Sequence, residues 1–152
     1  MAVTLKRTNS ADADFQMLIK ELDLDLRERN GEMMDIYDQH NKIAPIDTVV
    51  IAYLDNEPAG CGCFKIFDDS TIEVKRMFVR KNARGKRISS LVLAELENWA
   101  KELGYSIAVL ETGSIQFEAQ ALYQKAGYDR IAAYGPYIGL PDSLCYKKVL
   151  GD

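Results

Sequence analysis

Val79-Arg80-Lys81-Asn82-Ala83-Arg84-Gly85-Lys86-Arg87-Ile88-Ser89 is the stretch that decides how this chain is read. It closes a run of β-branched and aromatic residues, passes through a short basic loop and opens a helix. The first turn of a helix leaves backbone N–H groups without partners and carries partial positive charge. A phosphate placed there is bound by amides and assisted by Arg and Lys. The local physics therefore predicts a phosphate or diphosphate site, with a solvated basic turn as the plainer alternative. It is not a P-loop, because G-x-x-x-x-G-K-[ST] is missing, and not a dinucleotide fingerprint, because G-x-G-x-x-G is missing.

Working outward, three apolar runs precede the loop, at residues 48–54, 59–67 and 71–79, separated by Asp55-Asn56 and Asp68-Asp69-Ser70. Turn chemistry between β-prone runs predicts a three-stranded antiparallel meander. After the loop the period changes from two to 3.6. Ile88, Val92, Leu96, Trp99 and Leu103 form one stripe, Glu97 and Lys101 pair on the other side, and Gly104 stops the helix. Residues 107–112 read as a strand. Ser114 is a candidate cap for a helix over 114–126 that Gly127 ends, and 144–150 closes the chain as a strand or hairpin. At the other end, residues 3–7 suggest a first strand. Ser10 and Asp12 offer caps to a helix carrying Phe15, Leu18, Ile19, Leu22 and Leu26, which Asn30-Gly31 stops. A second helix is expected over 33–41. The mixed order gives an α/β or α+β layered fold in one domain, residues 1–152, since no repeat, low-complexity tract or linker interrupts it.

Composition narrows the function classes. At 152 residues, 47% apolar and 28% charged, the chain has the size and content of one globular core. No apolar run reaches a membrane span, and the first residues have no signal-peptide core. Cys61, Cys63 and Cys145 do not make a disulfide framework, so a reducing cytoplasm is expected. The single histidine, His40, disfavours histidine triads. The paired C-x-x-C spacing of zinc sites is missing, so no metal is expected. Seven basic residues and no acid lie between Lys75 and Arg87; setting those seven aside leaves 12 basic against 23 acidic residues, a remainder of −11. That distribution suggests one localised anion site and argues against a nucleic-acid surface.

Three separated motifs then resemble one family: Glu73-Val74-Lys75-Arg76-Met77-Phe78-Val79, the Arg84-Gly85-Lys86 loop, and Ala121-Leu122-Tyr123-Gln124-Lys125-Ala126-Gly127-Tyr128. Together they resemble the GNAT superfamily of acyl-CoA N-acyltransferases, and the resemblance covers nearly the whole chain in the family's element order. It implies a mixed, mostly antiparallel sheet of about six to seven strands, flanked by about four helices. In that fold the sheet splays between strands 4 and 5, with acyl-CoA in the V. The family's phosphate loop reads Arg/Gln-x-x-Gly-x-Gly/Ala. Arg84 matches its first position, while Arg87 stands where Gly is usual and Ser89 where Gly or Ala is usual. A Cβ at position 87 would crowd the phosphates or demand an unfavourable φ.

The resemblance assigns acetyl-CoA binding to Met77, Phe78, Val79, Arg84, Gly85, Lys86, Arg87, Ile88, Ser89, Gln116 and Tyr123. It makes Tyr123 the acid that protonates the leaving thiolate and Glu73 a candidate base for the incoming ammonium. The acceptor side would be lined by Tyr37, His40, Asn41, Tyr134 and Tyr137, and the acidic Glu32, Asp35 and Asp38 would favour a cationic amine. The expected activity is acetyl transfer from acetyl-CoA to a small amine, by direct attack in a ternary complex. Dimers are common in the family, so a homodimer is the protein partner it allows. A non-catalytic acyl-CoA sensor is the alternative, motivated by Arg87 and Ser89.

Overall fold

A computed structural model describes residues 2–30 and 45–151. Their order is β1 (Val3–Thr8), α1 (Ala13–Asn30), β2 (Val49–Leu54), β3 (Glu57–Ile66), β4 (Thr71–Val79), α2 (Ile88–Glu102), β5 (Ile107–Gly113), α3 (Phe117–Lys125), β6 (Asp129–Ile131) and β7 (Ser143–Val149). Short 3₁₀ turns at Lys81–Ala83 and Gly135–Tyr137 complete it. The helix expected over 33–41 lies outside the described residues; three α-helices lie within them.

All seven strands form one sheet in the order β1-β2-β3-β4-β5-β7-β6. The meander follows from its turns. Asp55 and Asn56 both adopt positive φ, the backbone twist that suits a two-residue hairpin. Asp68 Oδ1 accepts from the Ser70 amide in the next turn. Every neighbouring pair is antiparallel except β4–β5, which the α2 crossover makes parallel.

Alternation along the strands sorts two cores. Val50, Ile72, Val74, Ala108 and Leu110 pack under α2 with Ile88, Val92, Leu93, Leu96 and Ala100. Val49, Ile51, Cys61, Cys63 and Phe78 face Phe15, Leu18, Ile19 and Leu22 of α1. Asp12 caps α1, its Oδ1 accepting from the Asp14 amide, while Ser10 Oγ accepts from the Ile46 amide.

Several expectations are corrected. Leu103 does not join the α2 stripe; it sits past the helix end and is 54% exposed. Glu97 turns to Lys148 Nζ at 2.8 Å and Tyr128 Oη at 2.9 Å, because β7 offers it a cation closer to the core than Lys101. Ser114 caps no helix: its amide and hydroxyl both go to Asp142, and α3 starts three residues later. The chain closes as the hairpin that was one of its two expected forms, β7 pairing with β6, whose three residues are too few to leave a pattern of their own.

The functional consequence lies between β4 and β5. They pair only from Thr71–Val74 to Ile107–Leu110. Beyond that β4 stays with β3 and β5 stays with β7, so the two strands part into an open V.

Candidate active site

The wide end of the V opens into a cleft of about 320 Å³. Its walls are Met77, Phe78 and Val79 of β4, the loop residues Ala83, Arg84, Gly85 and Arg87, the first residues of α2, Ile88 and Ser89, then Gln116 just before α3, and Ala119, Leu122 and Tyr123 of α3. Ten of the eleven residues assigned to the cofactor thus meet at one place; Lys86 is not in the wall. Leu22, Asp25, Glu118 and Ala119 also line it and lie outside the quoted motifs; Ala83 and Leu122 lie inside them, but as apolar side chains carry no binding signal.

Arg87 precedes α2 with φ 62° and ψ 19°, the left-handed region, and contributes no side-chain cap. Gly85 is left-handed too, at φ 80°. Ile88 and Ser89, which open α2, border the cleft, and no N-cap side chain takes up their helix's first amides, an arrangement suited to an anion. The unfavourable φ expected of position 87 is therefore present, and a non-Gly residue there costs about 1–2 kcal/mol. Arg87→Gly should raise unfolding free energy by about 0.5–1 kcal/mol, the relieved strain less Gly's extra unfolded entropy. Urea unfolding without ligand checks this; a loss of stability would mean that the Arg87 side chain holds the loop.

The basic run is not wholly an anion site. Three of its arginines pin α1: Arg76 to Asp23 at 3.1 Å, Arg80 to both Glu21 oxygens, and Arg84 to Asp25 at 3.8 Å. Arg84 also donates to the Val79 carbonyl and still borders the cleft. Among the described residues, Lys86 and Arg87 make no ion pair, and of the two only Arg87 borders the cleft.

β4 carries a bulge where it enters the cleft. Cys63 pairs Lys75 and Cys61 pairs Phe78, so Arg76 and Met77 stand opposite the single residue Gly62. Arg76 holds φ 60° in mid-strand, a local strain of about 1–3 kcal/mol that the Asp23 ion pair and the surrounding sheet sustain. The bulge re-aims the strand so that Met77, Phe78 and Val79 border the cleft. Cys61 and Cys63 are buried against α1, their thiols directed at the Arg76 and Lys75 carbonyls. Burial pushes the Cys63 thiol up to about 12, so both behave as small apolar side chains.

Tyr123 is 5% exposed and lines the cleft, packed against Tyr128 and Tyr146. Burial, then the Glu111 carboxylate, raise its phenol above the ordinary range, so it keeps its proton at neutral pH. Gln116 accepts from Thr112 Oγ1 at 3.0 Å, which fixes its amide in the wall.

The other sheet face carries a second polar group. Register and alternation put Glu73 and Lys75 of β4, Glu111 of β5 and Cys145 of β7 on this face. Glu73 is 3% exposed; Tyr134 Oη donates to its Oε2 at 2.7 Å, and Lys65 and Lys75 approach Oε1 at 3.5 and 4.0 Å. Lys75 Nζ donates to Tyr137 Oη at 3.1 Å, and the Tyr134 and Tyr137 rings meet edge to face. Glu73, Tyr134 and Tyr137 therefore gather together, and none of the three lines the cleft. Tyr37, His40, Asn41 and the acidic Glu32, Asp35 and Asp38 lie outside the described residues. Glu111 was missed. A lone acid in the apolar run Ile107–Gly113 was the available signal.

Among the described residues no cluster of His, Cys, Asp and Glu could hold a metal ion, and no helix is long and apolar enough to cross a membrane. The chain is similar to an IAA acetyltransferase of Azospirillum brasilense, 34% identical over 97% of this chain and 98% of the relative. Its fold matches a candidate acyl-CoA N-acyltransferase of Klebsiella pneumoniae with TM-score 0.80, 26% identity and 98% of both chains covered. It also matches a GNAT family acetyltransferase of Elizabethkingia anophelis solved with acetyl-CoA bound, with TM-score 0.66, 19% identity and 97% of both chains covered. The family model described as Acetyltransferase (GNAT) family matches residues 15–128, and the chain belongs to that family.

Proposed function

We propose that this protein transfers an acetyl group from acetyl-CoA to the amine of a small acceptor, by direct attack in a ternary complex. The observation that carries the reading is one cleft lined both by the residues that open α2 without a side-chain cap and by the buried Tyr123. Diphosphate suits the first and a thioester sulfur the second. Arg84, Arg87, Ile88 and Ser89 would hold the diphosphate, and Met77, Phe78 and Val79 the pantetheine arm. Acetyl-CoA supplies the activated acyl carbon; Tyr123 supplies the proton that the departing sulfur needs. The buried Glu73 and the half-buried Glu111 favour a cationic acceptor on the face they share.

The test is thermal unfolding with acetyl-CoA, followed by thiol release across free amino acids, diamines and short peptides. Acetyl-CoA at about 100 times its Kd adds about 2.7 kcal/mol, a rise of roughly 5–10 °C here. No rise at millimolar cofactor would remove this reading. A rise without turnover of any amine would favour the sensor, the reading for which the strained Arg87 speaks.

A further inference from the structure

We propose that Glu111, rather than Glu73, accepts the proton from the incoming ammonium; this deepens the acetyl-transfer reading and rests on it. Glu111 is the first residue of β5 beyond its pairing with β4, and Lys75 is the first of β4 beyond its pairing with β5. Both stand where the V begins. Glu111 Oε2 is buried and, among the described residues, is the only buried side-chain oxygen or nitrogen without a hydrogen-bond partner. A buried acceptor left open costs stability, so it marks either a defect or a working group. Glu73 differs: Tyr134, Lys65 and Lys75 occupy its two oxygens.

The groups around Glu111 come from every element packed on it. Ser143 of β7 donates a hydrogen bond to it, Lys75 and Glu73 act on it from β4, and its charge is felt by Tyr123 of α3, Tyr137 of the 3₁₀ turn and Cys145 of β7. Burial is the largest influence. It pushes the carboxyl up to about 7, against the opposing pull of Ser143 and Lys75. A base poised near the working pH accepts and releases protons most efficiently. Tyr123 belongs to the core on the α2 face and Glu111 to the opposite face, so acid and base flank the gap between the two strands.

The step balances. Glu111 takes one proton from R–NH₃⁺, and the freed lone pair forms the C–N bond to the acetyl carbon as the C–S bond breaks. Tyr123 gives its proton to the sulfur and regains one from the nitrogen, which sheds its second. Glu111 releases its proton to solvent. R–NH₃⁺ and acetyl-CoA become the N-acetyl amine, free coenzyme A and one proton.

Glu111→Gln tests this beside Glu73→Gln, using the best amine from the panel above. Near pH 7, Glu111→Gln should lose about 100-fold or more in kcat/KM, together with the acid limb of the profile. Its deficit should shrink above the acceptor's own pKa, where free amine needs no base. Glu73→Gln should keep the limb, and both variants should keep the acetyl-CoA thermal shift.

A second measurement needs no acceptor. A carboxyl whose pKa is higher folded than unfolded binds more protons in the native state. Its favourable contribution is full below about 4.5 and is lost as pH rises through about 7. Glu111→Gln should therefore unfold at a higher temperature than wild type at about pH 8, and at the same temperature near pH 4. An unchanged acid limb in Glu111→Gln, or a lower unfolding temperature at about pH 8, overturns the assignment while acetyl transfer stands. A wild-type protein that binds acetyl-CoA and acetylates no amine overturns the proposed function, and the base with it.

Discussion

Tyr123→Phe will lower kcat by about 10²-fold or more while leaving acetyl-CoA affinity within a few-fold of wild type. Tyr123 lines the cleft and is buried. Its hydroxyl keeps its proton because burial and the nearby Glu111 carboxylate both penalise the phenolate. A thiolate expelled into a low-dielectric pocket without a donor is a costly leaving group, so the lost proton shows in kcat. The ring packs on Tyr128 and Tyr146 at centroid distances of 5.8 and 6.3 Å, contacts that Phe reproduces. Stability should therefore move little, which separates chemistry from folding. Steady-state kinetics with a thermal-shift titration settles it; an unchanged kcat would take Tyr123 out of the reaction.

Much of this arrangement was legible because it is local. The residue pair Asp55-Asn56 writes its own hairpin, and the stripe Ile88, Val92, Leu96 writes α2. The loop from Val79 to Ser89 suggested an anion site through its charge and its place before a helix, and seven of its eleven residues line the cleft, Arg80, Lys81, Asn82 and Lys86 standing outside it. What was hidden is long-range. Glu21, Asp23 and Asp25 take up Arg80, Arg76 and Arg84 across more than fifty residues, so a basic run that reads as one anion site is partly a seam holding α1. Glu97 finds Lys148, fifty-one residues on, instead of the cation one turn away. The left-handed Arg76 carries no glycine to mark its bulge. Glu111 looked like any strand acid, because whether a carboxylate has a partner depends on four other elements.

Gly60→Ala should destabilise the fold by about 2 kcal/mol and weaken acetyl-CoA binding at the same time. Alanine normally gains about 0.4–1 kcal/mol over glycine from the unfolded chain, so a loss requires a steric term that wins. That term is present. A Cβ on Gly60 would lie 2.8 Å from the Phe78 carbonyl oxygen, 3.1 Å from Ile88 Cγ2 and 3.2 Å from Val79 Cγ2. The first is backbone of a paired strand and cannot swing aside; β4 itself must shift. Phe78, Val79 and Ile88 all border the cleft, so relieving the clash moves its walls. Gly62→Ala is the control, because its Cβ meets the flexible end of Met77 along with Leu96 Cδ1 and Val92 Cγ1, each at 3.0 Å. Side chains can give there, so its loss should be smaller. Thermal unfolding should read a drop of roughly 4–8 °C for Gly60→Ala. A smaller drop than for Gly62→Ala would show that β4 yields more easily than its neighbours, and the cleft would then owe its shape to α2 and α3 alone.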